Sequence, residues 1–135
     1  HFTDQFGFFN ESAWWTDKPT VLLVGDSFVT AEHLTQDSLT LELRKRGLRT
    51  VNVGLPGCGP LMELAAIKSV WGRVSNSVQV IVWVFYCGND FADAVEENEV
   101  AAYREALNPA AEFTPDQSLL ALLPSNGSDN NFLFE

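Results

Sequence analysis

The chain has 135 residues, the length of one ordinary domain and too few for two. Hydrophobic residues make up 46% and charged residues 19% of it, which excludes wholesale disorder and a collagen-like repeat. Eighteen acids against eight bases give a formal charge of −10; polyphosphates and anionic membranes repel such a chain, which argues against nucleic acid as a ligand.

Two cysteines are too few for a disulfide scaffold and lack the spacing of a zinc site. The longest apolar run, Val80 to Cys87, is too short to span a bilayer, and no basic segment with a signal-like apolar core opens the sequence. Opening on His1 rather than Met, the sequence reads as a processed form or an excerpt.

Residues 1–19 form an arm that holds Phe2, Phe6, Phe8, Phe9, Trp14 and Trp15. No period of 2 or 3.6 links these rings, so the expectation is an irregular segment that lays them on a surface. Thr20 to Val24 is a short buried-strand run, ended by Gly25-Asp26-Ser27. Residues 36–46 read as a helix stopped by Gly47, and Thr50 to Val53 as a second strand. Gly59 and Pro60 suit the N-cap and first position of another helix, with Leu64, Ile67, Trp71 and Val74 as its apolar stripe. Gln79 to Tyr86 is continuously apolar, as a central parallel strand is when both faces are covered. Asp90 is placed to cap a helix running to residue 107, which Asn108-Pro109 stops.

Three strands alternating with helices predict an α/β domain over residues 20–123, with a parallel sheet of order 2-1-3. Residues 124–131 (PSNGSDNN) read as a polar loop, and Phe132-Leu133-Phe134-Glu135 as the opening of a further element. From that apolar ending the expectation is that residues 124–135 lead into more sequence in a parent protein.

Each strand runs into a small, polar turn: Gly25-Asp26-Ser27, then Asn52-Val53-Gly54-Leu55-Pro56-Gly57, then Gly88-Asn89-Asp90. Ligands of open α/β sheets bind outside the carboxyl ends of the strands, so the three turns are expected to line one crevice. Ser27 at a strand-to-helix turn suits a nucleophile. The Ser27 N–H, the Gly57 N–H and the Asn89 side-chain amide, one from each strand end, suit an oxyanion. Asp26 and Asp90 read as structural caps, Glu96, Glu97 and Glu99 as a solvated helix face, and Cys58 and Cys87 as small buried thiols. The 2-1-3 order separates those two cysteines by a strand, so both are expected to be free.

GDSF at 25–28, NVGLPG at 52–57 and GND at 88–90, in that order, resemble the SGNH (GDSL) hydrolases, over about residues 20–95. The resemblance implies a three-layer α/β/α, flavodoxin-like fold and a serine esterase or deacylase without metal or organic cofactor. It implies Ser27 as nucleophile, with Gly57 and Asn89 completing the oxyanion hole, and a small-molecule or carbohydrate ester as substrate. The segment TDQFGFFNE at 3–11 is similar to the lead-in of a secreted or membrane-associated bacterial subset. The sequence departs from the family at the base, a histidine in a late D-x-x-H or D-x-H block. Its two histidines, His1 and His33, lack that spacing, so the base is expected beyond Glu135 and residues 1–135 alone are expected to be inactive. Two other functions share the features. An O-acyltransferase acting on carbohydrate would use the same serine and oxyanion hole. A non-catalytic flavodoxin-like binding module would use the glycine-rich turn at 54–59, against which stand Pro56, which lacks an N–H, and the acidic balance.

Overall fold

The structure, a computed structural model, describes residues 3–30 and 38–112. Strands β1 (Val21–Val24), β2 (Thr50–Asn52) and β3 (Val80–Trp83) form a parallel sheet of order β2-β1-β3. The helices are α1 (Ala13–Thr16), α2 (Leu39–Lys45), α3 (Pro60–Val74), α4 (Asp90–Glu99) and α5 (Ala101–Arg104), and a 3-10 turn follows at Glu105–Leu107. The α/β class and the strand order are those read from the sequence. The polar loop and apolar end expected at 124–135 lie outside the described residues.

Alternation along the strands assigns the layers. Leu22 and Val24 of β1, with Val51 and Val53 at β2, point to one face and pack with Met62, Ala66, Ile67, Val70 and Val74 of α3. Full burial of such side chains contributes about 1.5–3 kcal/mol each. The Asn52 side chain points to the opposite face, where its Nδ2 donates to Thr40 Oγ1 of α2 at 2.8 Å. Ser38 caps α2, accepting from the Leu41 N–H at 3.3 Å; the expected start at 36–37 lies outside the described residues.

Several details differ from expectation. Gly59 and Pro60 open α3 as read, but the buried stripe runs through Met62, Glu63, Ala66, Ile67, Val70 and Val74, and Trp71 is exposed. The helix expected from Asp90 to residue 107 breaks at Val100, which is extended (φ −94°, ψ 114°). The break turns the chain back so that Ala106 is buried in the core beside α3. β3 is not a covered central strand: within the described sheet it is an edge strand, and Val80, Ile81 and Trp83 are exposed. An apolar run records a tendency to be buried; the helices that follow in sequence, α2 and α3, pack over β1 and β2.

The arm is more ordered than an irregular segment on a surface. Phe8 is buried in the core, and Trp15 packs edge-on to Phe6 with centroids 4.8 Å apart. The Arg44 guanidinium lies 4.2 Å from the Trp14 ring centre, and Arg73 lies 4.7 Å from that of Phe6. Asp4 organises the segment: its carboxylate accepts from the Phe6 and Phe8 N–H groups, the Asn10 amide and the Trp15 indole at 2.7–3.1 Å. Asn10 then closes the outer edge of β2. Its Nδ2 donates to Asn52 O at 2.8 Å, and its Oδ1 accepts from Asn52 N at 3.0 Å and from Arg44 at 2.9 Å.

Asn10→Ala leaves buried backbone groups of Asn52 without partners and is expected to destabilise the fold by about 3 kcal/mol. Asn108→Ala, whose amide bonds only at the surface, is expected to cost less than about 0.5 kcal/mol. Urea midpoints of the two variants measured side by side check this.

Candidate active site

The first turn touches the second and the segment that leads to the third. The Leu55 N–H donates to Gly25 O at 3.0 Å, which joins the first turn to the second. The first also meets the segment that leads from β3 to the third, where a Cβ on Gly25 would lie 3.0 Å from the Val84 carbonyl oxygen. Phe28 stacks on Tyr86 with ring centres 4.4 Å apart. All of this lies at the carboxyl end of the sheet, where parallel α/β sheets open their ligand crevice.

Ser27 sits on the first turn and is exposed. Buried Asp26 shapes that turn: its Oδ1 accepts from the Phe28 N–H at 2.9 Å, and its carbonyl accepts from the Val29 and Thr30 N–H groups. Among the described residues neither the Ser27 hydroxyl nor the Ser27 N–H has a hydrogen-bond partner. Gly57, exposed on the second turn, has φ +70°, which a side chain would strain. Its N–H is likewise unclaimed among the described residues, and nothing stands within 4 Å of where its Cβ would be.

Asn89 is the N-cap of α4, a place the sequence reading gave to Asp90. It is half-buried, and its Nδ2 donates to Asp93 Oδ2 at 2.7 Å while its Oδ1 is buried without a partner. Asp90 is buried one position into the helix, where its carboxylate accepts from the Tyr86 N–H. An open cavity of about 210 Å³ lies between the second turn and α4. Gly57, Met62, Asp93, Glu97, Val100 and Tyr103 are among its walls; Ser27 and Asn89 are not.

Carboxylates crowd beneath these turns. Glu63 is fully buried on the apolar stripe of α3; its Oε2 accepts from the Trp83 indole at 2.6 Å and its Oε1 has no partner. Burial, assisted by the charges of Asp90, Asp26 and Glu97, pushes its carboxyl up to about 7. Burial also raises Asp90 and Glu97 above the usual carboxylate range. The Cys58 thiol is buried beside the same acids, and burial first, then Glu97, Glu63, Asp26 and Asp93, raise it far out of the reactive range. Cys87 is also free, but it is exposed rather than buried as expected, because the turn after β3 has no covering layer among the described residues.

Glu97 was expected on a solvated helix face. It is 7% exposed, and its two oxygens accept from the Gly59 and Leu61 N–H groups at 2.7 and 2.8 Å. The signal for it is local: an N-cap glycine brings no side-chain acceptor, so the first N–H groups of α3 need one from elsewhere. For Glu63 the signal is an acid at the helical spacing of Ile67, Val70 and Val74.

Both histidines, His1 and His33, lie outside the described residues, and no cluster among the described residues is arranged to hold a metal ion. No described helix is long and apolar enough to cross a membrane. Compared with known proteins, the chain matches no family model, no curated protein and no solved structure.

Native thiol labelling is expected to modify Cys87 quickly and Cys58 only after unfolding, for two thiols in denaturant without reductant. The pH dependence has a definite sign. Glu63 holds its proton in the folded state up to about pH 7 but releases it near 4.5 when unfolded. The unfolded chain therefore binds fewer protons across that window, and stability falls as pH rises through it, by on the order of 3 kcal/mol. Urea midpoints at pH 5 and pH 8 are expected to show this fall, and Glu63→Gln is expected to remove most of it.

Proposed function

We propose that this chain carries the nucleophile and oxyanion site of a serine ester hydrolase of the SGNH type, an esterase or deacylase. The observation that carries the reading is a pair of exposed turns after neighbouring parallel strands. One presents the Ser27 hydroxyl and N–H, the other the Gly57 N–H, and all three groups are unclaimed among the described residues. Unpartnered donors beside a free hydroxyl are what an acyl-transfer site requires.

In this reading Ser27 Oγ attacks the ester carbonyl carbon as its proton passes to a base. The carbonyl oxygen, now negative, accepts from the N–H groups of Ser27 and Gly57 and from Asn89. Asp93 holds one proton of the Asn89 amide, which orients the group and leaves the other to the oxyanion. The tetrahedral intermediate expels the alcohol with a proton returned to it, and water then releases the acid from the acyl-enzyme. The base is a histidine; at neither His1 nor His33 does the sequence have the Asp-x-x-His or Asp-x-His spacing of the family it resembles.

The buried carboxylates and the net charge of −10 disfavour anionic substrates, so the ester is neutral or cationic. Phe28, 64% exposed and stacked on Tyr86 beside Ser27, and Phe85 edge-on to Phe91 offer faces on which a sugar ring packs. That favours a carbohydrate ester, for which transfer to a sugar acceptor is the second reading.

Hydrolysis of p-nitrophenyl acetate by the full-length protein tests the reading. Ser27→Ala is expected to lower turnover by at least about a thousand-fold, and Asn89→Ala to lower kcat by about 10²–10³. His33→Ala is expected to cost little, and residues 1–135 alone to show little or no turnover. Fast turnover by residues 1–135 that His33→Ala abolishes would instead make His33 the base. Turnover indifferent to Ser27→Ala overturns the reading, and product analysis with and without a sugar acceptor separates hydrolysis from transfer.

A further inference from the structure

Gly59 precedes Pro60 at the start of α3, so this helix begins with no side-chain cap of its own. The carboxylate that serves it comes from α4, 38 positions along the chain from Gly59: Glu97 Oε1 accepts from Gly59 N at 2.7 Å, and Oε2 from Leu61 N at 2.8 Å. The fit is close. A Cβ at Gly59 would lie 2.6 Å from Asp93 Cβ and 2.9 Å from the Glu97 carboxyl carbon. An anionic carboxylate on two backbone donors at a helix N-terminus is a strong, directional contact.

Four residues before Glu97 on the same helix, Asp93 accepts from the Asn89 amide at 2.7 Å. One helix therefore holds both outer donors of the site. Asp93 fixes Asn89 within α4, and Glu97 fixes the turn that carries Gly57 two residues ahead of its bond at Gly59. Among the described residues nothing stands within 4 Å of the Cβ position of Gly57.

We infer that Glu97 is a positioning residue of the oxyanion site, tethering the Gly57 turn to α4 so that the Gly57 N–H and the Asn89 amide keep a fixed separation. This rests on the ester-hydrolase reading. Glu97 touches no reacting atom and acts through the Gly57 backbone. Loosening the tether withdraws a donor from the transition state while leaving ground-state binding in place, so the loss falls on kcat and not on KM.

The experiment compares Glu97→Gln, Glu97→Ala and the exposed control Glu99→Gln in the full-length protein, by steady-state kinetics on p-nitrophenyl acetate and by residue-resolved amide hydrogen exchange. Gln keeps one acceptor and Ala none. The expected result is a kcat lower by about ten-fold for Gln and about a hundred-fold for Ala, with KM within about two-fold. Amide exchange at Gly59 and Leu61 rises by at least about ten-fold in Ala, while Leu22 and Leu23 of β1 keep their protection and show that the fold is intact. Glu99→Gln changes none of these. Unchanged exchange at Gly59 and Leu61 overturns the tether. Faster exchange with an unchanged kcat, or a loss that falls on KM, overturns the positioning role while Ser27-dependent turnover leaves the hydrolase reading standing. A wild-type protein without Ser27-dependent turnover removes the hydrolase reading and with it the role assigned to Glu97, and the exchange data still report separately on the tether.

Discussion

Asn52, buried at the end of β2, is the junction on which the rest of the structure depends. Its Nδ2 donates to the Val29 carbonyl and to Thr40 Oγ1, and its Oδ1 accepts from the Gly54 N–H at 2.7 Å. Its backbone N–H and C=O are bound by Asn10. A single side chain thus joins the turn that presents Ser27, the helix α2, and the turn that leads to Gly57, while its backbone anchors the arm. An apolar residue of similar size would fill the space but could not fix the angle between two loops, because apolar contacts have no direction.

The same logic recurs on the other side of the site, with carboxylates in place of an amide. Asp26 shapes the first turn, Asp90 bonds the backbone at Tyr86, and Glu97 bonds α3. Each places a loop by accepting from backbone N–H groups that no strand or helix satisfies. The cost is mutual repulsion and desolvation, visible in the raised carboxyls of Glu63, Asp90 and Glu97. Polar groups buried under these turns hold them in place without rigid secondary structure reaching into them.

Much of the fold was legible from local chemistry. Four consecutive apolar β-formers at Val21–Val24 can be little but a buried strand, and a Gly-Pro pair before a long apolar helix marks its start. Features that depend on distant partners were not legible. The Gln79–Tyr86 run says that burial is favourable, not which layer provides it. Glu97 looks like one of several surface acids until α4 is known to lie against the glycine that begins α3. The break at Val100 accompanies the packing of Ala106 on α3 and has no proline or glycine to announce it. Of the candidate site, the place of Ser27 and Gly57 on turns after neighbouring parallel strands was readable from the order of the elements. The tie between Asn89 and Asp93 was not read, although the two stand one helical turn apart.

The arm also gives the sheet a direction. In a parallel strand alternate residues send their N–H and C=O to opposite sides. Of the β2 groups that face away from β1, Thr50 O is bonded by Arg44, and the Asn52 N–H and C=O are bonded by Asn10. Three groups of that margin are taken. Among the described residues a further strand meets a largely occupied margin beside β2, whereas past β3 Ile81 and Trp83 present uncovered side chains. The N-terminal residues, through Asn10, therefore bias the sheet to widen on the β3 flank.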